Sequence, residues 1–167
     1  MSKWIKIVFI LGIFTLIIIL FVSMSKTQQM VVIQSGNTQA KPLEIKLGHF
    51  QDSDCGMVID ILTYASQVIN KEGKTWFFHD HGGMVKWLDT KIFKDEAIIW
   101  VWAKDTNQWI DGKKAWYSRN DKTPMNYGFG AYAQHQNDFI NFEEMRLKMK
   151  RGENMTNPFV ARELGIR

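Results

Sequence analysis

Cysteine is nearly absent from this chain, since Cys55 is the only one among its 167 residues. One thiol excludes an intramolecular disulfide and a two-cysteine redox pair, and no cysteine near the amino terminus offers a site for lipid attachment. The serine-hydrolase elbow G-x-S-x-G, a Gly-rich phosphate loop and the helical spacing of hydrolytic zinc ligands are also missing. These absences predict that the protein is not an enzyme.

An excess of positive charge is missing from most of the chain, although its formal net charge is +4. Three of the 21 lysines and arginines, Lys3, Lys6 and Lys26, lie in or beside a long apolar run, which leaves 18 against 17 acidic residues. No basic stripe interleaved with stacking aromatic residues is present to follow a phosphate backbone. Nucleic acid is therefore not predicted as a partner.

The apolar run covers residues 7–24, carries no charge and is about eighteen residues long, which is enough to span a bilayer core. A cleaved signal peptide would have a shorter apolar region and a small-residue cleavage site, which this run lacks. The positive-inside rule places Lys3 and Lys6 in the cytoplasm. We therefore predict a single-pass protein of the cytoplasmic (inner) membrane, anchored by residues 1–25, with its C-terminal domain in the periplasm.

The rest of the chain is predicted to form a polar tether over residues 26–42 and one domain over residues 43–167. The domain is predicted to be α+β, built from two similar strand-strand-helix-strand units, with Lys71-Glu72-Gly73-Lys74 as a hairpin turn and Asp80 as a helix cap. The patterns predict strands at residues 43–47, 57–61, 65–69, 75–78, 97–103, 115–119 and 128–133, and helices at 83–90 and 139–151.

Cys55 and Met57 place two soft sulfur donors on either side of Gly56. In an extended segment they would point to the same side, and thiolate and thioether ligands select Cu(I) over hard cations. The alternative is an ordinary buried thiol, because free cysteine is among the most buried residue types. Export favours the metal, since an unpaired thiol in an oxidising compartment is intermolecular, reactive or a ligand.

Further ligands must come from elsewhere in the chain. Met125 lies in a polar loop after Pro124, where a thioether is harder to explain as core packing, so it is the best candidate for a third sulfur. His79 and His81 flank Asp80 between a predicted strand and helix, and imidazole binds copper or zinc. The alternative reading is that both histidines are polar loop residues at the start of a helix.

These motifs, in this order, resemble the NosL family of extracytoplasmic copper chaperones, which assist the assembly of nitrous oxide reductase. The resemblance extends from about His49 to His135. It is carried by Cys55-Gly56-Met57, by Trp76-Phe77-Phe78-His79-Asp80, by Gly83-Met84-Val85-Lys86-Trp87-Leu88, and by the loop from Thr123-Pro124-Met125 to Ala133.

The resemblance implies a Cu(I) site formed by Cys55, Met57 and Met125, two β-β-α-β units, and copper delivery to nitrous oxide reductase in denitrification. Many members are lipoproteins, whereas this chain has an apolar helix in place of the lipid-bearing cysteine. Two alternatives stay open at this point. One is that the copper client is another enzyme, such as a terminal oxidase. The other is that the protein is a structural assembly factor in which Cys55 is merely buried.

Overall fold

An antiparallel sheet of five strands organises the chain after its first helix. The computed structural model describes residues 3–24 and 29–165. In chain order the elements are α1 (Lys3–Met24), β1 (Ile33–Gln34), β2 (Ser66–Ile69), β3 (Thr75–Phe78), α2 (His81–Leu88), β4 (Ile98–Ala103), β5 (Gln108–Asp111), β6 (Trp116–Tyr117), β7 (Ala131–Tyr132), α3 (Phe142–Arg151) and α4 (Pro158–Glu163).

Helix α1 is long and apolar enough to cross a membrane, and no residue from Lys3 to Ser23 is buried against the rest of the protein. Its 22 residues correspond to about 33 Å of helix, which matches the roughly 30 Å hydrocarbon core of a bilayer. A signal sequence near the amino terminus also meets these criteria of length and composition, and the helix is consistent with a single-pass anchor. The periplasmic orientation of the following domain stays a prediction.

The five-stranded sheet has the order β1-β3-β2-β4-β5, and each neighbouring pair is antiparallel. Helices α2 and α3 cover one face, where side chains such as Phe78, Ile99 and Val101 form the larger core cluster with Met84 and Met145. The irregular segment before β2 covers the other face with a smaller cluster: Ile45, Phe50, Ile59, Ala65 and Phe77. Strands β6 and β7 form a separate two-stranded pair.

Several elements form where their sequence predicts them. Gly73 adopts a positive φ of 73° in the turn between β2 and β3, as expected of glycine in a hairpin. Asp80 caps α2 by accepting a hydrogen bond from the backbone N–H of Gly82. Trp100 and Trp102 share the second face of β4, and the indole of Trp100 donates to the Ala40 carbonyl.

The two-unit description of the domain is not confirmed. The second half contains β6, β7 and α3, but α4 rather than a strand follows α3. Residues 43–47 form no strand, and the predicted strand at 57–61 is reduced to a bridge between Gln51 and Val58. Strand β5 was not predicted, because Gln108–Asp111 lacks the apolar alternation of β4.

The segment predicted as a tether also needs correction. Residues 25–28 lie outside the described part of the chain, but β1 pairs with β3. Asn37 is buried and donates hydrogen bonds to the Lys41 carbonyl and the Thr75 hydroxyl. Residues 31–41 therefore belong to the folded domain. Their polar composition predicted a tether, but polar groups are also accommodated in a folded domain when they form hydrogen bonds at the edge of a sheet.

Candidate metal centre

Cys55 lies in a tight loop that is closed by a bridge between Gln51 and Val58. Within this loop the Asp52 N–H donates to the Met57 carbonyl at 2.8 Å, and the Gly56 N–H donates to the Asp52 carbonyl at 2.9 Å. Gly56 has φ 75°, a conformation that glycine adopts without steric cost. The prediction that residues 55–57 are extended is therefore wrong, because Gly56 turns the chain and the same-side argument for two sulfurs does not apply.

Ser53 fixes the loop against the end of β3. Its N–H donates to the Phe77 carbonyl at 2.8 Å, and its hydroxyl oxygen accepts from the Phe77 N–H at 3.2 Å. The same hydroxyl donates to the Val32 carbonyl beside β1. Because Phe77 lies two residues before His79, this attachment brings the loop next to the first residues that follow β3.

Asp52 joins the loop to His79 through both of its carboxylate oxygens. One oxygen accepts the N–H groups of Asp54 and Cys55 at 2.8 and 3.0 Å. The other accepts the backbone N–H of His79 at 2.8 Å and lies 2.6 Å from Nδ1 of the same residue. Asp52 and His79 are both buried, at 2% and 3% exposure. A buried carboxylate with this many donors is fixed in orientation and also fixes the imidazole ring.

The Cys55 Sγ atom lies 3.8 Å from His79 Nδ1, at the exposed end of this buried pair. Ligand atoms of Asp52, Cys55 and His79 all fall within 4.8 Å of one another, a grouping that could hold a metal ion. Sulfur and nitrogen ligands about 2.3 and 2.0 Å from one ion lie about 3.5 to 3.7 Å apart, which is close to the observed separation.

The imidazole can serve such an ion through either nitrogen. Binding through Nδ1 would require the metal to replace the contact with Asp52. Binding through Nε2 would leave Asp52 as the acceptor for Nδ1–H, the arrangement in which a carboxylate orients a ligating histidine. The Nε2 atom of His79 is buried and has no hydrogen-bond partner among the described residues. Because Nδ1 is the nitrogen next to Cys55, an ion shared by Nε2 and the thiol would require the ring to turn.

The buried Asp52–His79 pair and the Cys55 thiol differ in their protonation. Burial opposes charge on Asp52 and His79, but their mutual hydrogen bond keeps the pKa of Asp52 below its ordinary value and that of His79 above it. Burial raises the pKa of the Cys55 thiol, and the charges of Asp52 and Asp54 raise it further. The thiol is therefore protonated at neutral pH.

The same three residue types occur in thiol–imidazole–carboxylate nucleophiles, but the geometry differs. In such a triad one ring nitrogen faces the nucleophile and the other faces the carboxylate. Here Nδ1 faces both Cys55 and Asp52. A single nitrogen cannot accept the thiol proton while it donates to the carboxylate, and the raised pKa of Cys55 also opposes a nucleophilic thiolate.

His81 is not brought to the centre, although it is only two residues from His79. It is fully buried, its Nδ1 lies 2.7 Å from the Ser66 hydroxyl, and its ring packs edge-on against Tyr64 and Tyr117. The prediction that paired histidines share one ion is not supported by this placement. The i and i+2 spacing instead separates the rings, because α2 begins between them.

The two predicted thioether ligands lie in different settings. Met57 follows Cys55 in the loop and is 44% exposed. Met125 is half-buried in the loop before β7, where its N–H donates to Asp80. Participation of either sulfur in metal binding stays a prediction.

Asp52 was missed at the level of sequence. In the string Gln51-Asp52-Ser53-Asp54-Cys55 it resembles any polar loop residue. Its spacing could have indicated its role. Asp52 lies three residues before Cys55, and at this spacing an aspartate accepts backbone N–H groups of its own turn.

No family model matches the chain, and no curated protein matches it.

Proposed function

We propose that the protein is a membrane-anchored, extracytoplasmic Cu(I) carrier that delivers copper for the assembly of nitrous oxide reductase. It would be a binding protein rather than an enzyme. The proposal combines the grouping of Asp52, Cys55 and His79 with the resemblance of the Cys55-Gly56-Met57 and Thr123-Pro124-Met125 motifs to the NosL family. Helix α1 supplies the membrane association that such a carrier needs.

The exposure of Cys55 beside a fixed imidazole carries the proposal. A carrier must accept an ion from one protein and release it to another, so its ligand must be reachable by the ligands of its partners. A thiol sealed in the core would not allow this exchange. The alternative of a structural factor with a buried cysteine loses its premise, because Cys55 is exposed.

Cu(I) is favoured over hard cations by the donor atoms that the proposal groups together. Thiolate, thioether and imidazole suit Cu(I), whereas Mg²⁺ and Ca²⁺ prefer sites made of oxygen ligands. Asp52 is a poor ligand in its present state because its oxygens already accept four contacts. We assign it instead to holding His79 in position beside Cys55.

Loading would exchange a proton for the metal. The Cys55 thiol releases its proton to solvent, a protonated His79 releases the proton from the nitrogen that binds, and sulfur and nitrogen then bind Cu(I) with no change of oxidation state. Release would reverse this step when a thiolate or imidazole of the acceptor protein binds the same ion. Because the pKa of Cys55 is raised, apparent affinity is expected to increase with pH through neutrality.

An anaerobic competition titration with a Cu(I) chelator tests the proposal on the full-length protein in detergent. We expect one Cu(I) per chain for the wild type and a loss of affinity in Cys55→Ala that exceeds the roughly 10- to 100-fold effect of removing an outer-shell residue. Met149→Leu is the matched control, since Met149 packs against the core cluster. Unchanged stoichiometry and affinity in Cys55→Ala would contradict a copper site at this cysteine.

The client is tested separately by maturation. Deletion of the gene should lower the copper content and activity of nitrous oxide reductase, and the wild-type gene, but not a Cys55→Ala allele, should restore both. Normal nitrous oxide reductase with a copper-deficient terminal oxidase would replace this client with the alternative one.

A further inference from the structure

Asp80 connects the start of α2 to the loop that contains Met125. One carboxylate oxygen accepts the Gly82 N–H at 2.9 Å, which is the helix cap. The other oxygen accepts the Met125 N–H at 2.9 Å from a position 45 residues further along the chain. Asp80 is fully buried and directly follows His79, so this second bond ties the Met125 backbone to the residue next to the metal centre.

Further contacts fix the same loop. The Thr123 hydroxyl donates to Asp80 and accepts the N–H groups of Tyr127 and Gly128 at 3.0 and 3.2 Å. The Tyr127 side chain lies against Gly82, where a Cβ atom would come within 2.5 Å of it. Burial raises the pKa of Tyr127, and the charges of Asp54, Asp80 and Cys55 raise it further. These contacts hold the Met125 loop against the first turn of α2, which directly follows His79 and Asp80.

We propose that Asp80 is a positioning residue that holds Met125 at the copper site without touching the ion. The inference rests on the proposed function and adds a specific task for the cap of α2. An Ala at this position would lose the cap as well, but the two oxygens have separate partners. A side chain that keeps the bond to Gly82 and loses the bond to Met125 therefore separates the positioning role from the helix cap.

Asp80→Asn and Asp80→Ser have this property. An asparagine oxygen or a serine hydroxyl still caps the helix. The asparagine NH₂ group faces the Met125 N–H with a second donor, and the serine side chain is too short to reach it. Asp105→Asn is the matched control, because Asp105 also accepts loop N–H groups, from Ala133 and Gln134, after β4.

Chelator competition with Cu(I) alone, on the full chain in detergent, measures the effect. We expect both Asp80 variants to stay folded and to weaken Cu(I) binding about 10- to 100-fold, with Asp105→Asn unchanged. Met125→Leu should weaken binding similarly, and adding it to Asp80→Asn should cause little further loss, because both changes remove the same ligand. A merely structural role would not produce this non-additivity.

The possible results separate the inference from the function on which it rests. Wild-type affinity in the Asp80 variants, additive losses with Met125→Leu, or failure of both variants to fold would each overturn the positioning role. Normal Cu(I) binding by Met125→Leu would also overturn the positioning role. The carrier function would still stand in that case if Cys55→Ala abolishes binding. Normal binding by Cys55→Ala would instead remove the proposed function itself.

Discussion

Cys55 and His79 are 24 positions apart in the sequence, yet the Sγ atom of one lies 3.8 Å from Nδ1 of the other. The contact depends on two attachments of the Cys55 loop: Ser53 to β3 and Asp52 to His79. The thiol is thus exposed to solvent while its imidazole neighbour is held by buried groups. The proposed carrier function requires this combination of a reachable ligand and a fixed one.

Asp52→Asn should destabilise the protein strongly. An asparagine side chain has one accepting oxygen, so it cannot accept hydrogen bonds both from the loop N–H groups of Asp54 and Cys55 and from His79. The buried His79 would also lose its charged partner. Loss of one member of a buried pair costs about 3–5 kcal/mol. Urea unfolding at neutral pH measures this change.

Asp54→Asn is the control for that prediction. Asp54 pairs with Lys86 at 3.4 Å on the surface, and Lys86 is 58% exposed. A surface pair of this kind contributes about 0–1 kcal/mol. Equal losses for Asp52→Asn and Asp54→Asn would show that the buried pair does not hold the loop.

Gly82→Ala and Gly83→Ala should change stability in opposite directions. A Cβ at Gly82 would lie 2.5 Å from Tyr127, whereas the nearest atom to a Cβ at Gly83 is 4.0 Å away. Overpacking at Gly82 is expected to cost about 1–3 kcal/mol. At Gly83 the better helix propensity of alanine should contribute up to about 1 kcal/mol.

Thermal unfolding of the two glycine variants decides this point. The same sign of change in both proteins would contradict the close packing of Tyr127 on the first turn of α2. Gly82→Ala should also weaken Cu(I) binding if the Met125 loop moves with Tyr127, whereas Gly83→Ala should leave binding unchanged.

His81 should make stability fall in mild acid. Burial lowers its pKa to about 3, whereas a histidine in the unfolded chain has a pKa near 6.5. Between these values the unfolded state binds a proton that the folded state does not, so stability decreases as pH falls. The expected contribution is about 2 kcal/mol lost from pH 7 to pH 5.

Urea unfolding of the wild type and of His81→Gln at both pH values isolates this contribution. The variant keeps a polar partner for the Ser66 hydroxyl but does not titrate. The Asp52–His79 pair acts in the opposite direction, since the raised pKa of His79 favours the folded state as pH falls. That pair is present in both proteins and cancels in the comparison, so parallel pH profiles would contradict the burial of a neutral His81.

Local patterns predicted the elements whose stability is local. The strand from Thr75 to Phe78, the cap at Asp80 and the turn at Gly73 follow from propensity and backbone conformation. The Asp52–His79 pair and the pairing of Ile33 with Trp76 could not be predicted in this way. Both depend on segments that are distant in sequence and meet only after the sheet has formed, and a polar composition gives no sign of either contact.

The surroundings of Cys55 could not be predicted from the sequence either. Its residue type and its predicted export favoured a metal, but the extended geometry predicted for Cys55-Gly56-Met57 is replaced by a turn with Gly56 at φ 75°. The neighbours of the thiol are consequently set by the fold and not by the tripeptide. His79, which sequence spacing paired with His81, instead pairs with Asp52.

X-ray absorption at the copper edge of the Cu(I)-loaded, full-length protein identifies the atoms that bind the ion. If Cys55 and His79 bind Cu(I), the spectrum shows sulfur neighbours together with at least one nitrogen neighbour, and Cys55→Ala loses a sulfur or carries no bound copper. A wild-type spectrum with only nitrogen and oxygen neighbours, or one that Cys55→Ala leaves unchanged, would contradict this assignment.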